Sequence, residues 1–192
     1  MNLLHISAWQ IELLPWYAFL VVWAVAALWA KSVKVAEPAS ARLLYTMVMG
    51  TGFFLLFSRR ADVWVLKQRF ITDAPWVGTA GIVLTFAGAA LAIWARIILG
   101  ENWSAKVTRK VGHELVRSGP YRVVRHPIYS GLLLAVIGTA LVVGEWRGVL
   151  AIPFVLGSES LKARREEEFM LAEFGDAYRQ YRGETGFLIP GW

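Results

Sequence analysis

Residues 112–131 gather two histidines, two tyrosines and three arginines between glycines and prolines, in a chain that is 57% hydrophobic. Proline fixes its own φ and drives the residue before it out of helical geometry, so the chain turns at His126 and a helix starts at Pro127. The amides at a helix start sit at the positive end of the dipole and favour a carboxylate or phosphate. Ile128, Tyr129 and Ser130 fall in that first turn, and the tyrosine and serine add side-chain hydrogen bonds. Upstream, Leu115-Val116 is an apolar pair suited to a flat heterocycle, with Gly119-Pro120 bending the chain beyond it. Taken singly, such a leucine, valine or histidine more often packs in a core or meets solvent. The signal is the whole block.

A second polar block runs from Leu161 to Tyr181. Lys162 and Glu166 are four apart, as are Arg164 and Glu168, which on a helix permits ion pairs along one face. Glu166-Glu167 offers carboxylates for proton transfer, although bare charge clusters are more often a solvated helix face. Phe174-Gly175 ends that helix with a glycine stop. Tyr178 and Tyr181 then share one face, and beside a membrane their default place is the interface.

The elements that hold these blocks are membrane segments. Mean hydropathy is +0.49 over 192 residues, too apolar for a soluble domain. Five segments are expected: Leu13 to Ala30, Leu43 to Phe57, Ala74 to Ala95, Ile128 to Gly144 and Trp146 to Leu161. The last two are separated by Gly144-Glu145 and read as a helical hairpin. The first apolar run reads as a retained span and not a cleaved leader. Between the second and third, Arg59 to Thr72 reads as an interfacial amphipathic helix. Gly78, Gly81 and Gly88 invite close helix packing, and Arg96, near a helix end, is expected to snorkel.

Lysine and arginine concentrate in the connections at 31–42, at 106–125 and in the tail after 162, which predicts that these face the cytosol. The same side receives both polar blocks. The net charge of +6 is assigned to these flanks and to lipid phosphates, not to nucleic acid. With no cysteine, disulfides, thiolate metal sites and a cysteine nucleophile are excluded, and the histidine spacing matches no metal pattern. Gly50-Thr51-Gly52 lacks the third glycine and the strand-helix setting of a dinucleotide fold. No repeat or linker divides residues 1–192, which read as one all-α integral membrane domain: 1–99 carry the first three segments, 100–192 the pocket.

His113-x-Leu115-Val116-x-x-Gly119-Pro120-Tyr121, Arg125-His126-Pro127-x-Tyr129, Glu166-Glu167 and Phe174-Gly175-x-x-Tyr178-x-x-Tyr181 together resemble the isoprenylcysteine carboxyl methyltransferase family and, more distantly, phospholipid methyltransferases. The resemblance implies an enzyme that uses S-adenosyl-L-methionine and takes a lipophilic acceptor from the bilayer. It implies cofactor contacts at His113, Glu114, Leu115, Val116, Tyr121, His126, Pro127, Ile128 and Tyr129. Glu166, Glu167 and Lys162 are the implied catalytic group, with Arg164 or Arg165 as a neighbouring cation that compensates for the lysine. The family has arginine where this chain has Lys162, and lysine lacks the planar two-pronged donor.

Carboxyl O-methylation of an isoprenylcysteine-like acceptor is the first expectation. A carboxylate acceptor needs no base and is held by Lys162 or Arg164. An amine such as a phosphatidylethanolamine headgroup would need Glu166 or Glu167 to remove a proton. Another lipophilic or thiol acceptor is a third possibility, and a catalytically silent membrane subunit or sensor the reading from a different class.

Overall fold

The computed structural model describes residues 8–28, 33–36, 38–61, 63–100, 108–110 and 115–191. Helices α1 (Ala8–Ala27), α2 (Ala39–Phe57), α3 (Pro75–Leu99), α4 (Pro127–Val143), α5 (Trp146–Phe174) and α6 (Asp176–Glu184) make up most of it. Three of them, α1, α2 and α3, are long and apolar enough to cross a bilayer. α4 is apolar but has 17 residues. α5 continues past the expected end at Leu161 as one 29-residue helix, carrying the acidic pair out on the same rod as the apolar half.

The all-α expectation needs one correction. β1 (Val33–Ala36) and β2 (Thr108–Lys110) form a two-stranded antiparallel sheet that ties the α1–α2 and α3–α4 connections together. Their contact puts both connections at the same end of the bundle, the end where α4 begins. A second correction falls on residues 59–72, where the expected amphipathic helix is absent. Two short 3-10 turns, Arg59–Ala61 and Trp64–Lys67, stand there instead. The backbone beyond them bonds across to the α4–α5 turn: Phe70 N to Gly144 O at 3.0 Å and Trp146 N to Gln68 O at 3.0 Å. Those cross-chain bonds take the groups that i to i−4 bonding would have used.

α3 lies against α4, and α2 against α5. The first contact is set by glycine. A Cβ on Gly88 would fall 2.4 Å from the Gly131 carbonyl oxygen and the Ala135 nitrogen, so the backbones meet with no room for a side chain. Gly81 faces Gly138 in the same way, whereas Gly78 has open space. Gly88→Leu is therefore expected to cost at least about 3 kcal/mol by forcing the helices apart. Thermal unfolding in detergent would show a lowered Tm for Gly88→Leu and little change for Gly78→Leu.

Several polar side chains inside the bundle find partners from other helices. Glu12, one residue before the span expected to start at Leu13, is fully buried in α1 and accepts from Thr85 (2.7 Å) and Thr139 (2.5 Å). Arg96 does not snorkel. It is buried, and its guanidinium donates to the carbonyls of Gly100 (2.7 Å) and Ala26 (2.8 Å), joining the ends of α3 and α1. Arg147 likewise caps the end of α2 by donating to Leu55 and Leu56 carbonyls. The outward faces carry Leu14, Leu20, Val21, Met47, Val83 and Trp94, as a lipid-facing surface requires.

Candidate active site

α4 starts where the His-Pro step predicts. His126 is its N-cap, with φ −123° and ψ 57°, and Pro127 is the first helical residue. The amides of Tyr129 and Ser130 already donate to the His126 carbonyl, at 3.0 and 3.1 Å. The helix end therefore offers fewer free donors to an anion than its sequence suggests, and the His126 side chain becomes the more important donor.

Three elements converge on that imidazole. On one side runs the segment after α6: Arg125 N donates to Gly186 O (2.8 Å), Gly186 N to Val123 O (3.0 Å) and His126 N to Phe187 O (3.3 Å). Ser130 Oγ donates to Leu188 O at 2.6 Å, and the Phe187 ring meets His126 edge-on at 5.1 Å. From α4, the Tyr129 ring stacks on His126 at 5.5 Å between centroids. From α5 come both carboxylates. His126 Nδ1 lies 3.5 Å from Glu166 Oε2, and Nε2 lies 3.4 Å from Glu167 Oε1 without the alignment of a hydrogen bond.

Glu166 and Glu167 have different partners. Glu166 Oε1 accepts from the Tyr129 hydroxyl at 2.6 Å. Glu167 accepts from Arg125 Nε at 2.6 Å, with Arg182 at 3.5 Å on its other oxygen. Arg125 also donates to the carbonyls of Arg182 and Thr185. Glu167 thus clamps the C-terminal segment to the start of α4, while Glu166 faces the His126–Tyr129 pair. Arg164 is exposed and, two residues from Lys162 on α5, points to the opposite side.

Burial is the strongest single influence on these groups, and it is overruled. It disfavours both charged carboxylates, yet hydrogen bonding and attraction from His126, with Lys162 and Tyr129 helping, hold Glu166 below the usual carboxylate range. Burial opposes charge on Glu167 too, but His126 and Arg125 bring it down to about 2. The same carboxylates outweigh the burial of His126 and raise its pKa. The cluster is a set of mutually stabilised charges.

Tyr121 is buried at the bend after Gly119, which takes φ +57°. Its carbonyl accepts from the Tyr181 hydroxyl at 2.7 Å, and Arg117 donates to Ala177 O while lying over the Tyr181 ring. Tyr178 and Tyr181 are 2% and 4% exposed, so the interfacial role expected of them gives way to packing: α6 folds back onto the loop. Burial drives the phenol pKa values of Tyr121, Tyr178 and Tyr181 up, the last to about 12. Val116 packs on a small cluster of Ala95, Tyr121 and Ile128, and Leu115 is half-buried. His113 and Glu114 lie outside the described residues.

An apolar cavity of about 490 Å³ reaches this cluster from between α1, α2, α4 and α5. Leu13, Trp16, Phe19, Phe53 and Leu132 line its body, with Ile128, Tyr129, Glu159 and Lys162 also on its wall. Tyr129 joins cavity to cluster, because its ring is on the wall and its hydroxyl is on Glu166. The Lys162 ammonium lies over that ring, 5.5 Å from the centroid.

A family model described as the isoprenylcysteine carboxyl methyltransferase (ICMT) family matches residues 81–173. That range holds His126, Tyr129, Lys162, Glu166 and Glu167. Over that half of its length, the chain is similar to the isoprenylcysteine carboxyl methyltransferase family. It is 32% identical over 115 residues to the protein-S-isoprenylcysteine O-methyltransferase of Schizosaccharomyces pombe, covering 58% of this chain and 49% of that protein. Over 130 residues it is 31% identical to protein-S-isoprenylcysteine O-methyltransferase B of Arabidopsis thaliana, covering 65% of this chain and 62% of that one. The chain therefore spans about half to two thirds of the length of these relatives. A solved structure of the eukaryotic intramembrane Ras methyltransferase ICMT superimposes with a TM-score of 0.58 at 24% identity, over 94% of this chain and 68% of that one. Together with the apolar helices, this makes the chain an integral membrane protein with the fold of that family.

Sequence reasoning brought His126, Pro127, Ile128, Tyr129, Tyr121, Lys162, Glu166 and Glu167 to one place. It missed Arg125 as the partner of Glu167, although the arginine stands beside His126 in the motif. It also missed Phe187 and Leu188 as a strap over the site and Glu159 on the cavity wall, none of which has a spacing signal.

Proposed function

We propose that this chain transfers a methyl group from S-adenosylmethionine to the carboxylate of a lipophilic, isoprenylcysteine-like acceptor. The observation that carries this is the junction at Tyr129, where an apolar cavity meets a charged cluster. The cavity lies within the size range of small-molecule sites and suits a hydrocarbon tail. The cluster suits the polar reactants.

The residues present fit the cofactor. His126 Nε2 is a buried nitrogen with no hydrogen-bond partner among the described residues, suited to the amino-acid carboxylate. Tyr121 and Tyr129 offer rings to a cation, and Val116 and Ile128 an apolar surface, with His113, Glu114 and Leu115 assigned to the same loop by resemblance. S-adenosylmethionine, when bound, supplies an electrophilic methyl on a sulfonium.

An acceptor carboxylate is ionised near neutral pH, so the protein's work is to strip its water, hold it and align it. Lys162, on the cavity wall, holds the carboxylate. Glu166 positions Tyr129 and keeps His126 charged. A general base for a protonated amine needs a pKa raised toward neutrality, whereas Glu166 is held low. That favours carboxylate over amine as acceptor. We further infer that α4 and the apolar half of α5 complete five spans, with the site at the cytosolic end.

Incubating membranes containing the protein with methyl-labelled cofactor and S-farnesylated N-acetylcysteine is expected to label an organic-soluble product whose label is released as methanol by mild base. Label that resists base, as an N-methyl group does, would refute carboxyl methylation.

A further inference from the structure

The turn between α2 and α3 takes no part in the chemistry above, and its backbone is unusual. Trp64 is the one non-glycine residue among those described with a positive φ, +40°. A bulky side chain is strained in that region, and here the strain lifts the indole off the protein. Trp64 is 89% exposed, and its neighbours Val63 and Val65 are 56% and 47% exposed. The turn is nonetheless held firmly. Arg60 N donates to Ser58 Oγ (3.2 Å), Val63 N to Ala61 O (2.8 Å) and Leu66 N to Val63 O (2.9 Å), while Ala61 is buried and Leu66 packs on the core. A fixed loop that presents three apolar side chains is unfavourable in water and marks a surface with an apolar partner.

Its position supplies that partner. α2 ends at Phe57 and α3 begins at Pro75, so the turn lies at the end of the bundle away from His126. Trp76 and Trp146, 68% and 45% exposed, stand at the same end, an aromatic level of the kind found at a membrane interface. Around the tip, Arg59, Arg60 and Lys67 are exposed, whereas the nearby Asp73 is paired with Arg69. Apolar tip and flanking cations match the two layers of a lipid surface, acyl chain and phosphate.

We propose that Val63-Trp64-Val65 is a wedge set into the boundary between headgroups and acyl chains of the leaflet opposite the charged cluster, and that Arg59, Arg60 and Lys67 bind the phosphates of anionic lipid there. The strained turn does on a tip of three residues what an amphipathic helix does along a face. Phe57, immediately before the turn, is on the cavity wall, so the wedge also sets the depth at which the cavity lies in the bilayer.

The chain has no cysteine, so single introduced cysteines carrying a nitrobenzoxadiazole label report on the tip in the full-length protein, in nanodiscs of phosphatidylcholine and phosphatidylglycerol. At Val65→Cys, with Trp64 kept, the label is expected to be quenched by phospholipid bearing a nitroxide near its headgroup. It should also be about threefold or more less sensitive to aqueous iodide than the same label at Asp73→Cys, a side chain 89% exposed at the same end. Nitroxide on phosphatidylglycerol is expected to quench the label at 65 about 2–5-fold more than nitroxide on phosphatidylcholine, and Arg59→Gln/Arg60→Gln/Lys67→Gln to bring that ratio near one. Equal iodide quenching at 65 and 73 overturns the wedge, and that comparison does not need the triple variant to fold. A ratio near one without the triple substitution, or one that the triple variant leaves in place, overturns the phosphate assignment.

Discussion

Glu166→Gln is expected to lower methyl transfer about 100-fold while the protein still inserts and folds. Glutamine is the same size and can accept from the Tyr129 hydroxyl. It cannot balance charge on His126, whose raised pKa depends on Glu166 and Glu167 after burial has pulled the other way. Less charged imidazole means a poorer donor at Nε2, so affinity for S-adenosylhomocysteine should fall with turnover. Labelled-methyl kinetics on purified protein, with circular dichroism as the fold control, check both effects. Wild-type turnover in the variant would remove α5 from the site.

Arg125→Ala is expected to have the largest effect on stability at the charged cluster. The pair with Glu167 is only about 10% exposed on either side, and removing one partner of such a pair costs about 3–5 kcal/mol because the other charge stays buried. Arg125 also donates to the carbonyls of Arg182 and Thr185, so the strap formed by 185–188 should loosen with it. Limited proteolysis would detect this as early cleavage after α6, with α3 and α4 still protected. Equal protease resistance in variant and wild type would contradict the clamp.

The pH dependence of the clamp follows from the same charges. Glu167 is depressed to about 2, so its contribution is present above the unfolded carboxylate value of about 4.3 and is lost as pH falls through about 2. His126 is raised, so its contribution is complete below the unfolded value of about 6.5 and is lost as pH rises through its higher folded value. The strap should be held most tightly between these limits, and protease sensitivity after α6 should grow on the alkaline side.

Local chemistry made part of this site legible. The His-Pro step fixed the start of α4, Phe174-Gly175 the end of α5, and the glycines of α3 a close neighbour, because each acts on its own few residues. The family motifs then named the cluster. What escaped depends on partners far along the chain. Glu12 finds Thr85 and Thr139, 73 and 127 residues away, and no local pattern distinguishes a carboxyl so satisfied from one outside the membrane. Arg96 was expected to snorkel, yet it and Arg147 each find backbone carbonyls at a helix end that only the packed bundle supplies. Residues 59–72 had a helical pattern, and hydrogen bonds to the α4–α5 turn outweighed it. Tyr178 and Tyr181 kept their shared face, but that face turned inward because Tyr121 and Arg117 offered partners.

The most direct test of a cofactor held at the start of α4 is calorimetric titration of the purified chain with S-adenosylhomocysteine. The geometry predicts binding in the micromolar range or tighter, weakened about tenfold or more in His126→Ala through loss of the buried imidazole donor. No heat of binding, or the same affinity in His126→Ala, would contradict it.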